Sequence, residues 1–172
     1  MNLRNEILKE HSQRHLSHII SWIGSDAKRF AQLMDIFLTG EYRVVQRSSW
    51  VVSMCAERHP ELTAPWLAQL IARAHDGTVH AAVQRNVVRL LQFVDIPKRL
   101  QGAAVNLCFG FLSAVESPVA VKVFSMTVLA KLAEHEPDLK NEIIPLIEQM
   151  LLYGSAGIQS RAKKVLRRLA PR

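Results

Sequence analysis

Three histidines are the first residues in this chain whose types and spacing could do chemistry. His11, His15 and His18 stand at i, i+4 and i+7, which puts three imidazoles on one helix face and suits Zn²⁺. No cysteine or carboxylate is placed as a fourth ligand, and Glu10 points elsewhere by phase, so an ordinary helix surface is the expectation and no metal or other cofactor is assigned. His59, His75, His80 and His135 fall near expected helix ends, where histidine commonly meets the last carbonyls. The chain has no Gly-rich phosphate loop, no G-x-S-x-G, no H-E-x-x-H and no C-x-x-C. Asp95 follows Phe93, a carboxylate beside an aromatic, but it lies at a helix end about a repeat away from Trp50. A catalytic role is therefore not expected. The cations are more informative. Arg85 and Arg89 are one helical turn apart and could bridge successive anionic groups, while Trp50 could stack on a ring.

Positioning these side chains requires helices. Apolar residues at spacings of three and four, punctuated by Gly, Pro and Ser/Asp caps, predict nine of them and no strand. They cover 2–22, 26–38, 42–58, 64–75, 79–94, 98–115, 118–134, 137–153 and 156–170. In the first, Leu8, Leu16, Ile19 and Ile20 form the stripe; Gly24 ends it and Ser25-Asp26 caps the next. Pro65 is expected in the first turn of the fourth, where proline is tolerated.

The second helix of each pair repeats. Val45-Gln46-Arg47 returns as Val83-Gln84-Arg85, Val121-Lys122-Val123 and Ile158-Gln159-Ser160, with steps of 38, 38 and 37 residues, a period typical of helical arrays. Aligned on these stretches, four columns emerge: Val45, Val83, Val121, Ile158; Ser49, Val87, Ser125, Ala162; Val52, Leu90, Val128, Val165; and Ala56, Val94, Leu132, Leu169. Offsets of 0, 4, 7 and 11 share one helix face, so each repeat buries the same face and neighbours must stack.

Glu116-Ser117-Pro118-Val119-Ala120-Val121-Lys122 resembles the HEAT-repeat signature, an acidic turn followed by a Val-Lys/Arg step. Ile143-Ile144-Pro145-Leu146-Ile147 is similar to the proline-bearing first helix of such repeats. The other three repeats depart from the pattern, with Gln46, Gln84 and Gln159 at the basic position. The resemblance implies an all-α fold, a right-handed α-α superhelix of about four helix pairs plus an N-terminal cap helix. The resemblance covers about residues 26–170, and the expected organisation is one domain over 1–172, with the cap in 1–24 and pairs in 25–60, 61–97, 98–136 and 137–172. Families of this architecture mostly bind proteins or nucleic acids, and a few resemble the bacterial alkylpurine DNA glycosylases. Aromatic residues, at 6% of the chain, are thin for a base-trapping cleft of that kind.

In HEAT-like arrays the second helices line the concave side. The residues opposite the buried columns are then Arg47, Trp50, Met54 and Arg58; Arg85, Val88, Arg89 and Gln92; Val123, Met126, Thr127 and Ala130, with Lys122 at the margin; and Ser160, Lys163, Lys164 and Arg167. Glu57 and Glu134 sit at its edges. Arg47, Trp50, Arg85, Arg89, Lys122, Met126, Lys163 and Arg167 are the candidate partner-binding residues. With net charge +7 and pI about 9.9, a positive face would attract an acidic protein or peptide segment or, alternatively, nucleic acid. The apolar patch of Val88, Val123, Met126 and Ala130 favours the former. No apolar run reaches the 18 or so residues that span a bilayer, and no signal peptide is evident, so a cytoplasmic location without membrane contact is expected, with Cys55 and Cys108 as buried free thiols.

Overall fold

The computed structural model describes residues 1–10, 12–134 and 136–170; His11 and His135 lie outside them. Among the described residues there are helices and no strands, and no helix is long and apolar enough to cross a membrane. The chain divides into two compact units, Met1–Ile96 and Pro97–Arg172.

The first unit holds α1 (Leu3–Lys9), α2 (Gln13–Ile23), α3 (Ala27–Thr39), α4 (Tyr42–Arg58), a 3₁₀ turn (Pro60–Trp66), α5 (Leu67–His75) and α6 (Ala81–Leu91). Here α3 pairs with α4 and α5 with α6, α4 packs along α6, and α1 and α2 lie against α4. The second unit holds α7 (Lys98–Ser113), α8 (Val119–Ala133), α9 (Pro137–Tyr153) and α10 (Ala156–Leu169). In it α7 pairs with α8, α9 with α10, and α8 packs along α10.

The columns read from the repeat are the core. Every one of their residues is buried, and the most exposed, Ile158, is only 8% accessible. Small side chains in the second column, Ser49, Ser125 and Ala162, let neighbouring helices approach. The turns are built by close contact. A Cβ at Gly40 would collide with Ile36 O, and one at Gly154 with Met150 O, so the chain enters α4 and α10 where only hydrogen fits. Gly24 closes α2 with φ of 52°, the left-handed conformation that glycine adopts without cost. Asp26 then caps α3, accepting from the Lys28 and Arg29 amides at 2.9 and 3.1 Å. The Arg29 amide bond leads the causes that hold its carboxyl below the usual range.

Two expectations change. The single helix over 2–22 is two helices. Ser12 Oγ accepts from the His15 amide at 3.2 Å and starts a new helix, while Glu10 is extended. The break lets α1 bury Leu3 and Ile7 while α2 buries Leu16, Ile19, Ile20 and Ile23; Leu8 is only half-buried. The helix expected over 64–75 begins at Leu67, because Pro60–Trp66 is a 3₁₀ turn holding Pro65. Pro65 has no amide to give a helix, and Thr63 Oγ1 donates to Pro60 O at 2.6 Å instead. Both thiols are free and buried, and burial pushes Cys55 and Cys108 up to about 12.

Candidate functional site

Along α4, Arg43, Gln46, Arg47 and Trp50 fall at offsets 0, 3, 4 and 7, one helix face. Along α6, Ala82, Arg85 and Asn86 repeat the first three of those offsets. Because α4 and α6 lie side by side, the two faces enclose a cleft of about 360 Å³, with His80 at its end. Among the described residues, three guanidiniums line it and no carboxylate does.

Each lining group is held differently. Arg47 Nη1 donates to Leu8 O at 2.6 Å and reaches Ile7 O at 3.5 Å, a cation on the carbonyls that end α1. The break between α1 and α2 is what presents those carbonyls. Trp50 is half-buried and also lines a narrow crevice with Ile7, His15 and Leu16. His80 caps α6: its Nδ1 accepts from the Ala82 amide at 3.0 Å. Its Nε2 lies 3.2 Å from Gln46 Nε2 on α4, and Tyr42 meets the imidazole edge-on at 5.9 Å. Arg43 and Arg85 are exposed, and neither has a hydrogen-bond or ion-pair partner among the described residues. The cleft is thus a concentration of cationic donors with no internal anion, an arrangement that can hold an anionic group.

Arg89 belongs elsewhere. Its Nη1 donates to Ser53 Oγ at 3.0 Å and its Nη2 to Glu57 Oε2 at 2.5 Å, and the guanidinium lies over Phe93 at 5.2 Å. It is a rung between α4 and α6, beside the Asn86 Nδ2 to Ser49 Oγ bond of 2.9 Å. These rungs run from Ser49, Ser53 and Glu57 of α4, beside the contact of Gln46 with His80.

In the second unit, Met126 is 0% exposed, and so are Ala130 and, in the first unit, Val88. None of the three presents a surface to a partner, and the expected apolar patch does not exist. For Met126 and Ala130 the reason is that α8 carries apolar residues on nearly every side, so it has no single face to turn outward. Lys122 is half-buried and lines a groove with Leu112, Val115, Leu146, Met150 and Tyr153. Lys163 and Arg167 are exposed on α10, with no ion pair among the described residues. Thr127 and Glu134 are rungs here: Arg161 Nη1 donates to Thr127 Oγ1 at 2.8 Å and Arg168 Nε to Glu134 Oε1 at 2.6 Å.

Of the histidine face, His15 is engaged. Its Nε2 is 2.8 Å from Glu6 O and 3.3 Å from the Glu6 carboxylate, while its ring lies 6.4 Å from that of His18. His11 is outside the described residues. Of the cleft, sequence reading named Arg47, Trp50 and Arg85 and missed Arg43, Gln46, His80 and Asn86. Arg43 was findable, standing one turn before Arg47 on the same face. The role of His80 depends on where α6 begins.

Neither a curated protein nor a solved structure matches the chain. The HEAT repeat domain family, by contrast, matches it over residues 3–169. With helix pairs in both units and the repeat columns buried in register, the chain belongs to the HEAT repeat domain family.

Proposed function

We propose that this protein is a non-catalytic interaction module that binds an acidic protein or peptide segment at the α4–α6 cleft. HEAT-repeat membership supports a scaffold role in protein interaction. The observation that carries the finer reading is the lining of the cleft: Arg43, Arg47 and Arg85 with no carboxylate among them. Arginine forks match carboxylates in bidentate geometry. The Leu8 carbonyl fixes Arg47 before any ligand arrives, so less side-chain entropy is lost on binding.

Nucleic acid is the second reading, favoured by Trp50 beside the arginines, since an indole can stack on a base. Fluorescence anisotropy separates the two. Labelled acidic peptides and labelled single- and double-stranded DNA and RNA are titrated at low and moderate salt. The first reading expects the peptides to bind and Arg43→Gln with Arg85→Gln to remove binding. Nucleic acid binding more tightly than any peptide, with a steep salt slope lost in the same variant, would sink it. Arg89, one turn from Arg85, is left intact in this variant, because it also holds α4 to α6.

A further inference from the structure

Resting on the reading of the cleft as the docking point for an acidic segment, we infer that the group it takes is a phosphorylated side chain of the partner rather than Asp or Glu. The first argument is charge. Three guanidiniums line the cleft with no internal anion, and Arg43 and Arg85 have no partner among the described residues. A carboxylate brings one negative charge and two acceptor oxygens. A phosphate monoester brings about −1.5 to −2 and three strong acceptor oxygens, and so satisfies a three-arginine site that a carboxylate leaves in excess.

The second argument is the kind of cation. Among the described residues, no lysine lines the cleft. Arginine offers five donors in a planar fork, whereas lysine is a point charge. The bonds of Arg47 run through Nη1, which among the described residues leaves Nε and Nη2 for a ligand. The third argument is size. At about 360 Å³ the cleft falls within the range of ligand sites, with room for a phosphate, its side-chain stem and neighbouring main chain. Trp50 supplies apolar surface for that stem.

The test uses the full chain and four fluorescent peptide libraries with randomised, mildly acidic flanks. The central residue is phosphoserine, phosphotyrosine, Glu or Ser. Anisotropy titrations are run at fixed ionic strength, with an oligonucleotide and phenyl phosphate as competitors. One or both phosphorylated libraries should bind at least tenfold more tightly than the Glu library, and phenyl phosphate should displace them. In Arg85→Gln and in Arg43→Gln, the preference should fall below twofold while the thermal melt stays unchanged. A Glu library that binds as tightly as both phosphorylated ones overturns this inference and leaves the acidic-segment reading standing. Binding to none of the libraries overturns both. An oligonucleotide that displaces the phosphopeptides at lower concentration than phenyl phosphate, and binds directly, assigns the cleft to phosphodiesters and also overturns both.

Discussion

The α4–α6 pair and the α8–α10 pair come from the same repeat, yet they use their outward residues in opposite ways. Two positions after the first core column stand Arg47 and Arg85 in one pair, Val123 and Ser160 in the other. Five positions after it stand half-buried Trp50 and fully buried Val88 in one pair, fully buried Met126 and exposed Lys163 in the other. One position is nearly shared: Asn86 and Arg161, each three after the column, both donate to the preceding second helix, to Ser49 and Thr127. The pairs also each carry a Glu–Arg rung, Glu57 with Arg89 and Glu134 with Arg168. The repeat therefore keeps a scaffold of core and rungs within the chain, and among the described residues unpaired charge falls at positions the scaffold does not use, Arg43 and Arg85 in one pair, Lys163 and Arg167 in the other.

That division can be broken in order of effect. Met126→Lys should cost more than about 4 kcal/mol, because it leaves an unpaired charge in a closed core; urea unfolding measures it, and a loss below about 1 kcal/mol would mean α8 has an open side. Gly154→Ala should follow at about 1–3 kcal/mol, since its Cβ would strike Met150 O and Ile158. The same change at Gly77, where no atom lies within 4 Å, should be near neutral. Among the rungs, Arg89→Ala should cost about 1–2 kcal/mol, for it loses both Ser53 and Glu57. Arg168→Ala, with 40% of its side chain exposed, should cost less than about 1 kcal/mol. Smallest of all, Arg43→Gln with Arg85→Gln should leave stability within about 0.5 kcal/mol while abolishing binding at the cleft. A stability loss as large as that of Arg89→Ala would return these arginines to the scaffold.

The thiols test the core of each unit separately. Burial raises both above the ordinary value of 9.0, to about 12, so the folded protein keeps them protonated at neutral pH. Native protein at pH 8 should not react with a thiol reagent, and denatured protein should react twice. The sign for stability follows: folding favours the protonated thiol, so this contribution is complete below pH 9.0 and declines as pH rises beyond it.

Legibility in the sequence was uneven for a physical reason. Which face of a helix is buried follows from spacing of 3.6 residues per turn, so the four columns, the caps at Asp26 and Gly24, and the family could all be read along the chain. The end of α1 at Lys9 was not, because His11, His15 and His18 stand at helical spacing in the sequence; the Ser12 cap starts α2 afresh. The fate of a cation was not legible either. Arg85 and Arg89 lie one turn apart with equal claims to a ligand, and only the neighbouring helix separates them. Glu57, 32 residues earlier, takes Arg89; nothing takes Arg85 among the described residues.

The sequence by itself determined that this chain is a set of repeated helix pairs, with the core columns placed in every repeat. Helical periodicity and burial are properties of a single element, and one element is enough to see them. Only the tertiary structure decided that Met126 is core, that Arg89 is a rung and that Arg43, Arg47 and Arg85 share a cleft with Trp50. Those outcomes depend on what lies across from each side chain, which is set when one second helix stacks along another.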